Sequence, residues 1–221
     1  MKSFFSALFL GLAFMGFAQE KTQEKDKAVS VDYYFGIGLA TQKYDLNTKL
    51  RESNVAQLKT TYPQLNIGMN IFGEKFSGDG EMGFFFSKDD NATSETKNIG
   101  FDAKFRVHYN VLVKEKIALT TGLSIGAFAN TVAISSRGNT VDLNDLNPAN
   151  NSGLIELRNE IFYAGPSVSF YLFNKSKVAL RANVGYEIPF TNGKWKSDYA
   201  SINNTVKEIG NNRLVFGITI M

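Results

Sequence analysis

The chain has no cysteine in 221 residues, a single histidine, and only a small excess of positive charge. Without cysteine there is no disulfide framework, no thiolate metal site and no thiol nucleophile. One histidine leaves little for a histidine metal cluster, and the acidic pairs Asp89-Asp90 and Asp142 with Asp145 lack the spacing of a calcium loop. Gly36-Ile37-Gly38 is followed by no helical pattern, so it is no nucleotide fingerprint. No cofactor and no metal are expected. Lys and Arg number 24 against 21 Asp and Glu, a net charge of +3 with no basic stripe, which argues against a nucleic-acid partner. Beyond residue 18 no apolar run reaches the length of a spanning helix. That excludes a helical membrane protein and leaves a spanning barrel open.

The first 18 residues combine Lys2, an apolar run from Phe4 to Phe17, and Gly16 and Ala18 at the places of a cleavage site before Gln19. Residues 1–18 are therefore expected to be a secretory signal peptide. Residues 19–30, rich in Lys, Glu, Gln and Asp, are expected to form a periplasmic N-terminal tail, and 31–221 one barrel domain. No cysteine follows the cleavage site, so an N-terminal lipid anchor is not available.

From Val31 on, the chain alternates. In the stretch Phe101 to Ala129 the odd positions Phe101, Phe105, Val107, Tyr109, Leu119, Leu123 and Ile125 are apolar, and the even positions Asp102, Lys104, Arg106, His108, Asn110, Thr120 and Ser124 are polar. Two arms with period two, joined by Lys114-Glu115-Lys116, form a hairpin. The same alternation predicts strands at about 31–41, 62–72, 81–87, 159–173, 177–190 and 212–221, which makes eight. Most are about ten to thirteen residues long, the length a tilted spanning strand needs. Pro166 inside the sixth is expected to mark a bulge. The connections 42–61, 88–99, 130–157 and 191–208 are long and polar, and the turns between them are short. An eight-stranded antiparallel up-and-down barrel, its termini at one end and its long loops at the other, would produce this pattern.

Either face could in principle point inward. The apolar face carries no charge in any strand, and a small barrel has no room to enclose so many large side chains. The other face carries Gly36, Gly68, Gly83, Gly122, Gly165, Gly185 and Gly217 among its charges, small residues that leave space in a narrow lumen. The charges themselves balance: Asp32, Glu81, Asp102 and Glu187 against Lys104, Arg106, Arg181 and Arg213. Paired charges are tolerable in a low-dielectric tube, so these residues, with His108, are expected to form a lumen charge network. Tyr33, Phe101, Tyr109, Phe162, Phe170, Tyr186 and Phe190 then face lipid as aromatic girdles.

The leader, the eight alternating strands, the short turns, the four long loops and the apolar last strand resemble the small outer-membrane β-barrel proteins of Gram-negative bacteria, of the OmpX and OmpA-membrane-domain kind. The resemblance covers about residues 31–221 and rests on pattern. It implies residence in the cell outer membrane, with its lipid and the assembly machinery as partners and the four loops exposed to an extracellular ligand or surface. Such barrels usually finish on an aromatic residue, whereas this chain ends in Met221. A structural or surface-interaction role is expected, with a small porin-like pore or a soluble lipocalin-like carrier as alternatives. Some barrels of this size are lipid A-modifying enzymes using histidine. His108 shares the parity of the lumen charges, opposite Gly122 and beside Arg106 opposite Ser124, and no catalytic role is expected for it.

Overall fold

A computed structural model describes residues 29–138, 153–173, 179–203, 206–208 and 210–221. In chain order the elements are β1 (Ser30–Thr41), α1 (Leu46–Glu52), β2 (Thr61–Phe72), β3 (Phe76–Asp90), β4 (Ser94–Val113), β5 (Ile117–Ser136), β6 (Leu154–Phe173), β7 (Ala179–Pro189), β8 (Gly193–Lys194), β9 (Lys207–Glu208) and β10 (Arg213–Ile220). Eight of them close an antiparallel barrel in the order β1-β10-β7-β6-β5-β4-β3-β2. Consecutive barrel strands are neighbours, and the closing pair runs from Phe35 opposite Ile220 to Thr41 opposite Leu214. β8 and β9 form a separate two-stranded ribbon in the last loop.

The apolar face is outside. Leu123 is 69% and Val107 65% exposed, while Arg181, on the opposite face of the sheet, is 0% exposed. Water would not tolerate a continuous exposed belt of this size, so the barrel stands in lipid, and the soluble-carrier alternative falls. Aromatic contacts mark both borders of the belt. Phe76 meets Tyr109 edge-on at 5.6 Å near the short turns, and Phe84–Phe101 (5.2 Å) and Phe162–Phe190 (6.2 Å) lie near the far border. Above the pair Phe86 and Ile99, the next outward pair is Lys88 and Lys97, both salt-bridged to Glu95 at 2.5 and 2.9 Å. From Tyr109 to Ile99 is about 33 Å of strand, or about 25 Å along the axis at a tilt of ~40°, the height of a bilayer's apolar band.

Several expected boundaries move. β3 reaches Asp90 and β4 begins at Ser94, so most of the expected loop 88–99 is ladder around the tight turn Asn91-Ala92-Thr93. There Asn91 Oδ1 accepts the N–H groups of Thr93 and Ser94 at 2.9 and 2.8 Å. Both ends of the expected loop 130–157 are strand as well, paired from Asn130 opposite Asn159 to Ser135 opposite Leu154. The alternation is hard to read there because its sense reverses once the strands leave lipid: the outward face turns polar, while Val132, Ile134 and Leu157 pack inward on the buried cluster. Residues 139–152 of that loop, the leader, the tail to residue 28 and the turn 174–178 lie outside the described residues. Pro166 makes no bulge. Ala164 opposite Ile188 and Ser167 opposite Gly185 keep one register, and the ladder to β7 merely skips Gly165 and Pro166. The irregularity falls between Asn110 and Leu112 instead, which turns Leu112 outward.

A cation placed on the outer face at mid-belt tests the assignment of faces. Leu123→Arg, midway between the girdles, is expected to lower stability by about 2–4 kcal/mol in lipid vesicles, read by urea unfolding; a change near zero would mean that this face does not meet hydrocarbon.

Candidate functional site

The lumen is filled in two layers. The lower and middle layer is ionic. β3 contributes Asp79 and Glu81, β4 contributes Asp102, Lys104 and Arg106, β7 contributes Arg181 and Glu187, and β10 contributes Arg213, all buried. Arg106 bonds Asp79 at 2.8 Å and Glu81 at 2.7 Å, and Arg181 donates to Asp79. One rung higher, Arg213 bonds Glu187 at 2.6 Å and Asp102 at 3.0 Å. Lys104 lies between the two groups, 3.8 Å from Glu81, 3.3 Å from Asp102 and 3.5 Å from Glu187. Four acids face four bases, the condition under which buried charge is tolerable. Neutral groups complete the shell: Tyr34 donates to Glu81 at 3.2 Å and Gln64 to Asp102 at 2.9 Å. The two arginines also stack, Arg181 at 4.3 Å over Tyr34 and Arg213 at 4.6 Å over Tyr163.

Of the residues expected in this network, Glu81, Asp102, Lys104, Arg106, Arg181, Glu187 and Arg213 come together, and Asp32 does not. Asp32 is half-buried at the end of the barrel that carries the short turns, and no ion pair joins it to the cluster. Its place is taken by Asp79, which lies before the strand expected at 81–87. β3 begins at Phe76, and Asp79 thus faces inward directly opposite Arg106. His108 sits below the ions, opposite Gly122, held on both sides at 2.7 Å by Thr120 Oγ1 and Ser167 Oγ. Close packing accounts for Gly83: a Cβ there would stand 2.6 Å from Asp102 Oδ1. Among the described residues no group of three or more metal-ligating side chains converges.

The upper layer is apolar, and the sequence reading missed it. Tyr62, Phe85, Phe128, Ile161 and Tyr163 face inward above the ions, with Tyr62 stacked on Phe85 at 4.1 Å and Phe85 on Phe128 at 5.6 Å, and Val215, one inward step below Arg213 on β10, joins the same cluster. The connection 42–61, expected as an exposed polar loop, folds down on them. Its Tyr44, Leu46, Leu50 and Leu58 join the same buried cluster, with Trp195 from the last loop. The apolar side of α1 thus supplies a lid, and Asn47 pins its return by bonding Leu58 at 2.9 and 2.7 Å.

Glu208 latches this lid. It is 1% exposed, and its carboxylate accepts the first N–H groups of the α1 turn, Asp45 at 2.9 Å and Leu46 at 2.8 Å, and the Trp195 indole at 3.3 Å. The sequence signal for this was faint: an acid in the last loop, with no periodicity to say it faces inward. Burial raises the Glu208 carboxyl above its ordinary value, the charge of Asp45 adds to this, and the donated N–H groups only partly offset it. Burial likewise pushes the Tyr44 phenol up to about 12.

Two outcomes follow for the filling and its lid. Removing one member of the ionic layer strands its partners, so Arg106→Ala is expected to cost about 3–5 kcal/mol in urea unfolding, far more than any exposed pair such as Lys49–Glu52. The raised Glu208 value means the closed lid gains stability below the ordinary carboxylate value of 4.5 and loses it as pH rises through the higher folded value. Trp195 is the chain's one tryptophan, so its emission should shift to the red over that window, and Glu208→Gln should flatten the transition.

No protein-family model matches the sequence, and no curated protein sequence matches it. Solved structures do match in shape. Ail, the attachment invasion locus protein of Yersinia pestis, in complex with the heparin analogue sucrose octasulfate, aligns with a TM-score of 0.50 at 7% identity, over 86% of this chain and 95% of that one. Ail in a second structure gives 0.49 at 9% identity over 88% and 96%. Neisserial surface protein A gives 0.37 at 12% over 87% and 98%. At such identities the likeness is one of architecture alone: this chain has the fold of the small outer-membrane eight-stranded β-barrels.

Proposed function

We propose that the chain is an integral outer-membrane protein that passes no solute through its lumen and acts through its extracellular face. The filled lumen carries this reading. Ionic and aromatic layers occupy the interior in series, and the lid seats four side chains on top of them. Nothing the size of a hydrated ion passes such a column without breaking buried pairs. The leader expected at residues 1–18 supplies export, the assembly machinery inserts the barrel, and membrane lipid surrounds its belt.

A surface role draws its support from what stands above the lipid. β4, β5 and β6 each run for 20 residues, well beyond the apolar belt. At that height Leu154, Ile155 and Tyr199 are exposed beside a cleft of about 490 Å³ between β6 and residues 197–202. Solvent-exposed apolar side chains away from lipid suit contact with another surface. An enzymatic role for His108 lacks support, since both ring nitrogens are engaged by neighbouring hydroxyls and the ring is 3% exposed.

Planar-bilayer recording of the folded protein is expected to show no stable open level; a large, steady conductance would overturn the closed-lumen reading. Membrane fractionation with gel mobility before and after boiling checks the environment, and a protein that leaves membranes with alkali alone would overturn it. Cells carrying His108→Ala should keep an unchanged lipid A profile.

A further inference from the structure

The seam that closes the barrel ends earlier on one side than on the other. The β1–β10 ladder stops at Thr41 opposite Leu214, while β1 and β2 stay paired at Thr41 opposite Thr61 and one residue further, Gln42 N–H donating to the Thr60 carbonyl at 2.7 Å. Residues 211 and 212 therefore part from residues 42 and 43, and a polar notch of about 380 Å³ opens between them, lined by Thr41, Lys43, Thr60, Thr61, Asn211 and Asn212. Its roof is the Asn211 amide, bonded at 3.3 Å to the Lys43 carbonyl and at 3.3 Å to the rim carboxylate Asp45. Its flank is Asn212, which donates to the Tyr186 hydroxyl.

The position of the notch matters as much as its lining. Directly beneath it on the outer face lie the lipid-facing side chains Leu39, Leu214, Phe216 and Tyr186. The notch thus starts where the apolar belt stops, at headgroup level on the side of the long loops. Its exposed groups include hydroxyls on Thr60 and Thr61 and the ammonium of Lys43, none with a side-chain partner among the described residues. Hydroxyls and amides suit a sugar, and an unpaired ammonium beside them suits one negative charge.

We propose that this notch holds the phosphorylated sugar headgroup of a lipid in the outer leaflet, with the acyl chains lying along Leu39, Leu214 and Phe216. Lys43 takes the phosphate, and Thr60 and Thr61 bond the sugar hydroxyls. The inference rests on the membrane orientation given under the proposed function. Free phosphate shares part of this chemistry, so the test separates the two sources.

The experiment uses the full barrel, shown to be folded by its gel shift on boiling, in detergent micelles. Native mass spectrometry and titration calorimetry follow three probes: a short-chain phosphorylated glucosamine lipid, its dephosphorylated counterpart, and inorganic phosphate. The phosphorylated lipid should bind at one site, Lys43→Ala should weaken it about tenfold, and Thr60→Val with Thr61→Val should weaken it severalfold. Lys97→Ala, which removes another lysine at the same membrane border, should leave binding unchanged. Equal losses from Lys43→Ala and Lys97→Ala would mean diffuse surface charge and overturn the proposal. So would inorganic phosphate that binds as tightly as the lipid, or a dephosphorylated lipid that binds equally well. A folded, heat-modifiable barrel that binds no probe overturns the headgroup site alone, whereas a chain without the gel shift overturns the membrane reading beneath it.

Discussion

No backbone N–H can go unpaired in hydrocarbon, and this single constraint shapes the chain from Ser30 to Ile220. A sheet in lipid has to close on itself, so β1 must find β10 across the whole length of the sequence. Closure with eight strands leaves a lumen only as wide as its own side chains. The inward residues cannot then be surrounded by water, and the charges among them must find each other. Arg106 meeting two carboxylates and Arg213 meeting two more follow from closure as directly as the exposed belt does.

The two layers of the lumen do different work. The ionic layer lies at the depth of the lipid, where β3, β4, β7 and β10 hold it from several sides of the barrel. The aromatic layer lies nearer the mouth, where the strands begin to leave the membrane and the connection 42–61 can reach in. Its lid is held by apolar burial and by one carboxylate. Glu208 joins the start of α1 to Trp195, so two loops that are distant in sequence are tied together. The ionic column is held by buried charge pairs on four strands, and the lid is the part whose hold depends on one carboxyl in a loop.

Outside the barrel the same division appears between lipid and water. The outward face changes from Phe86 and Ile99 to Lys88 and Lys97 within one step of the ladder. Above that border β4, β5 and β6 continue, and there the apolar residues Val132, Ile134 and Leu157 turn inward onto the buried cluster. The notch at the β1–β10 seam falls on the border itself, where apolar belt and hydrogen-bonding groups meet.

Alternation by itself determined the number of barrel strands, the face that meets lipid and most of the lumen charges. Period two is a local property, and inside the membrane one face must be apolar, so the pattern is written into neighbouring residues. Glu81, Asp102, Lys104, Arg106, Arg181, Glu187 and Arg213 could be read from parity alone. Only the tertiary structure decided that Asp79 replaces Asp32, because a three-dimensional partner, Arg106, and an earlier strand start place it in the lumen. It alone decided that Leu112 turns outward and that Pro166 stays in register. The extended ladders of β3 to β6 were hidden because above the lipid the outward face no longer has to be apolar, and in β5 and β6 the apolar residues Val132, Ile134 and Leu157 fall on the inward face instead. The lid was hidden for the opposite reason: Tyr44, Leu46, Leu50 and Leu58 look like scattered residues of a polar loop until the aromatic floor they cover is assembled from β2, β3, β5, β6 and β10. A sequence displays the contacts its neighbours impose, and the fold alone brings Glu208 to the first turn of α1.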